Sequence, residues 1–274
     1  MSEPSSRRSF LFGRQATAED RWSKCLAALR RQCQGPVKLL SEEQAYLNPS
    51  LLDDVIQARQ LCQTHGVVMA LEGLPLPQQD QSRFVLWVQA GAAWGSVIPL
   101  GDSGLWRVDA GCPMVVAQAA GLLGDEWPAS MQYVAQWFAQ AYRGQPLAMT
   151  ALADHLVSVD WMLPDGTIEV FGAFGARDAQ PLSSLSAQRR VPALFEAAMK
   201  PGLQRVFDSG QWPLRFHLDA LMNSEAVNLG HCFVGHGGAL GWLVAATFNK
   251  CESPLQPLSG SAWASSASRT ILVA

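Results

Sequence analysis

Four glycines fall within seven positions in GHGGALG, residues 235–241, between the apolar runs NLGHCFV and WLVAATF. Glycine takes positive φ and carries no Cβ, so a loop of this composition lets backbone approach a ligand closely. His231 and His236 flank the loop and are of the type that serves as a base or a ligand contact. No carboxylate stands at a fixed spacing to orient either ring, which favours structural imidazoles. His155 opens a strand and is given no role. Asp160 and Asp165 could form a carboxylate pair, but Asp165 belongs to Pro164-Asp165-Gly166, whose turn chemistry accounts for it. No G-x-S-x-G elbow occurs, which argues against a hydrolase. The six cysteines (Cys25, Cys33, Cys62, Cys112, Cys232, Cys251) show no C-x-x-C and no zinc spacing, so no metal site is expected and buried thiols in a reducing compartment are.

Residues 18–34 run from acids to bases and stop at Gly35-Pro36, which predicts a helix. A second helix fits 50–65, with Gly66 at its end. VVMAL (67–71), FVLWVQA (84–90), SVIPL (96–100) and WRVDAG (106–111) read as strands, the middle two separated by a glycine-containing turn. Helices are predicted after Pro113 and over 130–142, and amphipathic helix and turn over LSAQRRVPALFEAAMKPGLQRVFDSG. HLVSVDWMLPDGTIEVFG predicts two strands joined at the Pro-Asp-Gly turn. No internal repeat is present.

At 274 residues, 49% hydrophobic and 16% charged, the chain can bury a sizeable core. A net charge of -3 gives no general reason to bind nucleic acid. The basic excess lies in the amino-terminal arm, with seven Lys or Arg against three Asp or Glu up to Gln34. Ser6, Arg7, Arg8, Phe10 and Leu11 resemble a twin-arginine export motif, but the charged GRQATAEDRWSK follows where an apolar h-region is needed. No run is long and apolar enough for a membrane span, so a cytoplasmic location is expected.

Taken in order, these elements resemble the FAD-linked oxidases and their PCMH-type FAD-binding domain, which occurs in flavin subunits of D-lactate and glycolate dehydrogenases. The resemblance rests on Leu61-Cys62-Gln63-Thr64-His65-Gly66, on WRVDAG, on LVSVDWMLPDGTIEVFG and on NLGHCFVGHGGALGWLVAATF, spread over residues 37–250. It implies an α+β fold of two subdomains, without a recognisable cap or substrate domain. The corresponding boundaries are a basic arm and helix (1–35), a first subdomain (36–110), a second (111–252) with a helical insertion near 180–215, and a tail (253–274). By the same resemblance, Gly73, Pro128, Ser130, Asn223, Gly235, Gly237, Gly238 and Gly241 stand at the cofactor-binding positions for FAD.

Other positions depart from the family. Where its first loop reads Arg-Gly-Gly-Gly-Thr, this chain has Glu72-Gly73-Leu74-Pro75; Pro75 removes a donor and Glu72 opposes a pyrophosphate. Ala135-Gln136 replace the paired glycines of the second loop, beside Tyr133, Trp137 and Phe138, and Asn223 to Leu229 keeps only the Asn and Leu of the third motif. Family members carry a cap domain where about two dozen residues follow Lys250 here. The expectation is an eroded FAD site in a non-catalytic subunit, partnered by a catalytic flavin or iron-sulfur dehydrogenase subunit. Two alternatives stay open: a genuine FAD-dependent subunit oxidising a small 2-hydroxy acid, and a scaffold or binding protein without redox role. The ten tryptophans, among them Trp127, Trp137 and Trp263, would either fill the space a flavin vacates or form a partner surface.

Overall fold

The computed structural model describes residues 17–74, 84–89, 94–123, 131–142, 152–175, 181–210, 212, 214, 216–222, 227–238 and 241–250. The fold is α+β, with mixed helix and sheet. Helix α1 (Ala18–Gln32) opens with a reciprocal cap in which the Asp20 N–H donates to Thr17 and the Thr17 N–H to Asp20. Its apolar stripe, Trp22, Cys25, Leu26 and Leu29, recurs at helical spacing and is buried. Strands β1 (Val37–Leu39) and β2 (Gln44–Leu47) form an antiparallel pair. Helix α2 (Leu52–His65) follows and ends at Gly66, whose φ of +67° suits glycine. Strands β3 (Val68–Leu71) and β4 (Val85–Val88) then complete a four-stranded sheet of order β1-β2-β4-β3, in which β2, β4 and β3 run parallel. Ala45, Leu47, Leu86 and Val88 from the sheet and the buried faces of α1 and α2 share one core cluster.

The second sheet is antiparallel and five-stranded. Strands β5 (Val97–Pro99) and β6 (Leu105–Asp109) lead to helices α3 (Met114–Ala119) and α4 (Val134–Gln140). A single turn α5 (Leu152–His155) precedes β7 (Leu156–Met162), β8 (Ile168–Phe171) and the two-residue β9 (Ala173–Phe174). Helices α6 (Leu185–Ala198) and α7 (Pro201–Asp208) occupy the predicted helical stretch. The two-residue β10 (Val227–Asn228) pairs with β9, and β11 (Trp242–Asn249) closes the chain's described part. The order is β5-β6-β11-β7-β8, with β11 central. The predicted turn strand pair around Pro164-Asp165-Gly166 is β7 and β8.

The change from the first sheet to the second falls between β4 and β5. FVLWVQA and SVIPL are near in sequence yet belong to different sheets, because β6 pairs with the distant β11, Ala246 opposite Val108. Strands β1 and β2 were not foreseen; their polar KLLSEEQAYL has one face against the helices and one half-open, so its apolar signal is thin.

Glu169 on β8 ties α6 to the second sheet. Its buried carboxylate accepts from Ser184 N at 2.7 Å and from Ser183 N and Oγ at 3.2 and 3.0 Å. Burial alone would raise its pKa, but the serine hydrogen bonds outweigh it and hold the group below its ordinary value. Its folded-state pKa is thus below the unfolded one. The stability it supplies is fully present above the ordinary carboxylate pKa and disappears as pH falls through the lower folded value. Glu169→Gln is expected to lower stability by about 1–2 kcal/mol at neutral pH. In urea unfolding at a series of pH values, the gap between the two proteins should shrink on acidification.

Candidate functional site

Three segments that the sequence places far apart converge on α4. The first is the turn after β3, where Gly73 has φ +79°. The second is the start of α4, where the buried Gln136 turns its amide back toward Gly73. A Cβ on Gly73 would lie 2.6 Å from Gln136 Nε2. That nitrogen donates to Glu72 O at 2.9 Å, while Gln136 Oε1 accepts from Gln132 N at 2.8 Å and Tyr133 N at 3.2 Å. One side chain therefore satisfies two free donors at the helix start and holds the first loop against them.

The glycine loop is the third segment. Gly235, Gly237 and Gly238 all have positive φ. Their N–H groups turn inward: Gly235 N donates to Phe138 O at 2.9 Å and Gly237 N to Ala139 O at 2.7 Å, which satisfies carbonyls in the last turn of α4. Gly238 N donates to His236 Nδ1 at 3.1 Å, so the neutral His236 ring carries its proton on Nε2. A Cβ on Gly238 would touch Leu74 Cδ1 at 3.5 Å, which brings the first and third loops together. Gly241, at φ +139°, lies so near β7 that a Cβ would stand 2.3 Å from Met162 O and 2.5 Å from Trp161 Nε1. Pro128, Ser130 and Asn223, together with Pro75, Trp127 and Trp263, lie outside the described residues.

Beneath the loop is an aromatic cluster. Trp161 stacks on Phe233 with centroids 4.6 Å apart and meets His236 edge-on at 4.9 Å; Phe138 lies 6.3 Å from Trp161. Trp137 and Phe138 are completely buried, and Trp137 also packs on Phe248 of β11. The α4 residues beside Ala135-Gln136 thus form the centre of the second core rather than the wall of a cleft.

Both histidines that flank the loop, His231 and His236, are buried. His231 lies under β7 with Nε2 donating to Leu156 O at 3.0 Å. Burial pushes its pKa below the ordinary value against the upward pull of that carbonyl, so the ring is neutral at physiological pH. The sequence reading passed over His217 and Asp219, a completely buried pair with Nδ1 to Oδ1 at 3.1 Å. Trp212 stacks beside His217, and His217 N donates to Cys232 O. The only sequence signal was the two-residue spacing in HLD, which is common in any chain. Among the described residues no group of His, Cys, Asp and Glu could hold a metal ion. Nor is any described helix long and apolar enough to cross a membrane.

On the first sheet, Tyr46 OH donates to Glu72 Oε2 at 3.1 Å and Gln89 Nε2 to Tyr133 OH at 3.0 Å. Burial first, then the Glu72 carboxylate, raises the Tyr46 phenol, which stays protonated. Glu72, at the position where the family resemblance expects an arginine, points its carboxylate into this polar face. An anionic ligand beside Gly73 would meet that negative charge.

No family model matches the chain, and no curated protein matches it in sequence. Solved structures do match. Wild-type Phl p 4.0202, a glucose dehydrogenase, is 13% identical over 82% of this chain and 43% of its own, with a TM-score of 0.46. A variant of BBE-like 1 from Physcomitrella patens is 13% identical over 83% of this chain and 44% of its own, at 0.44. An alkyldihydroxyacetonephosphate synthase is 14% identical over 75% and 31%, at 0.41. The chain spans less than half the length of each.

Gln136→Ala is expected to remove about 2–3 kcal/mol of stability, since Gln132 N, Tyr133 N and Glu72 O lose their partner together. Equilibrium urea unfolding measures the loss. The glycine amides still donate to Phe138, Ala139 and His236 in this variant, so the substitution should not create flavin affinity, as read by fluorescence titration with FAD.

Proposed function

We propose that the chain is a domain of the PCMH-type, FAD-linked oxidase kind that no longer holds a flavin and acts as a non-catalytic subunit. The observation that carries this reading is the fate of the glycine-loop donors. Gly235, Gly237 and Gly238 N–H groups, the type a phosphate needs, are spent on Phe138 O, Ala139 O and the His236 ring. Gln136 and Leu74 fill the space between the loops, and Glu72 adds negative charge there. Without the cofactor the chemistry of such a fold cannot proceed, because the protein supplies binding and orientation while the flavin supplies hydride transfer.

A subunit of this kind acts through a protein partner, here a catalytic flavin or iron-sulfur dehydrogenase subunit in the cytoplasm. Affinity capture of the tagged full-length chain from its own cells tests the partnership. A redox subunit eluting in fixed ratio with it is the expected result. Elution as an isolated monomer with no redox subunit would count against the complex and favour a free-standing scaffold.

A further inference from the structure

The parallel strands β2, β4 and β3 end level with one another, Leu47 and Leu71 both standing opposite Val88. Ligands of sheets with parallel strands commonly lie outside such carboxyl ends. Ala45, Leu47, Leu86 and Val88 share the core with α1 and α2, so the alternate residues fall on the opposite face of the sheet. Tyr46 and Trp87 are direct neighbours there in the register. Glu72 and Gln89 are the next residues beyond β3 and β4, and they continue the ladder through Glu72 N to Val88 O and Gln89 N to Leu47 O. Tyr133, the residue before α4, joins them through Gln89. All five side chains are half-buried.

The bonds already made inside this group decide what it lacks. Trp87 Nε1 donates to Gln44 Oε1 at 3.1 Å, which fixes the indole. Tyr46 OH donates to Glu72 Oε2 at 3.1 Å and Gln89 Nε2 to Tyr133 OH at 3.0 Å. Glu72 Oε1 and Gln89 Oε1 receive no hydrogen bond from the described residues. None of the described ion pairs includes Glu72, nor Lys38, which stands opposite Tyr46 on the edge strand β1. What remains is a carboxylate, an amide oxygen and the Tyr133 hydroxyl beside the rings of Tyr46 and Trp87. A cation with N–H donors complements this set: its charge and N–H groups meet the oxygens, and its alkyl part lies on the rings. Phosphate or a carboxylate is repelled by Glu72, and a neutral polyol makes no use of its charge.

We propose that the carboxyl end of the first sheet binds a small organic cation with an ammonium or guanidinium head, held by Glu72, Gln89 and Tyr133 against Tyr46 and Trp87. The site shares Glu72 with the function proposed above, yet the two fail separately: bound flavin overturns that reading, whereas cation binding is read on Trp87 and Gln89 themselves.

The test is titration of the native full-length, nitrogen-15-labelled protein with butylammonium and butylguanidinium chlorides, followed in the side-chain N–H region of the NMR spectrum. Butanol and sodium butyrate, at equal ionic strength, are the neutral and anionic controls. The expected result is a saturable shift of the Trp87 indole and Gln89 amide signals with a dissociation constant of about 1 mM for at least one of the two cations. Neither control should shift them. Glu72→Gln, which keeps the backbone carbonyl that accepts from Gln136, should weaken binding about tenfold or more. Tyr133→Phe keeps the ring and should weaken it less. No saturable shift of Trp87 and Gln89 with either cation, equal shifts with butanol or butyrate, or unchanged affinity in a folded Glu72→Gln protein would each overturn the proposal. The titration of the natural sequence against the two controls decides this even where a variant folds poorly.

Discussion

Gly241→Ala is expected to cost about 3–5 kcal/mol of unfolding free energy, among the largest single-site losses in this chain. The added methyl meets Met162 O at 2.3 Å and Trp161 Nε1 at 2.5 Å, both on β7. A backbone carbonyl on a strand paired on both sides cannot withdraw cheaply, and the residue must also hold φ at +139°, which L side chains rarely adopt. Relief would come from shifting β11 relative to β7, where the register already steps between Leu243 and Ala245. Urea unfolding followed by tryptophan emission measures the loss, with Trp161 and Trp242 both close to the strain. Gly166→Ala is the control: it also has positive φ, but its Cβ would meet nothing within 4 Å, so the cost there should be about 1 kcal/mol.

Asp54→Ala is expected to be of similar size, about 3–5 kcal/mol, for a different reason. Asp54 is buried, with one oxygen accepting from Gln34 N at 2.7 Å and the other from Gly35 N at 2.9 Å, Ser50 N at 2.7 Å and Leu51 N at 3.4 Å. These donors lie at the end of α1 and the start of α2, so one carboxylate ties the two helices' termini together. Alanine leaves those N–H groups without their acceptor, the buried Gly35 N–H among them. Asp54→Asn keeps one acceptor oxygen and should recover part of the loss. Equal losses for Ala and Asn would mean that charge, and not hydrogen-bond count, sets the value.

The helices were legible because caps and stripes are local. Thr17 with Asp20, Gly66 and the Trp22 to Leu29 stripe sit within a few residues of what they control. The β7 and β8 hairpin was legible for the same reason, since its Pro-Asp-Gly turn lies between the paired strands. What the sequence withheld was pairing across distance: the β6 and β11 ladder joins residues more than a hundred positions apart and moves β5 and β6 into the second sheet. The site divides along the same line. Glycine positions in the loop were visible, but not where their N–H groups point, because that depends on α4 carbonyls a hundred residues earlier. Gln136 was visible as a replaced glycine; that its amide would bridge to Glu72 O was not.

The loop whose glycines resemble a flavin cradle turns its donors onto its own fold. Flavin content of the protein purified natively from its own cells, by visible spectrum and by chromatography of the acid-released fraction, tests this most directly. A colourless protein with no stoichiometric flavin, and no quenching of FAD fluorescence on titration, is the expected result. A yellow protein carrying one FAD per chain would contradict it, and would place Gly73 and the 235–241 loop back against a working cofactor.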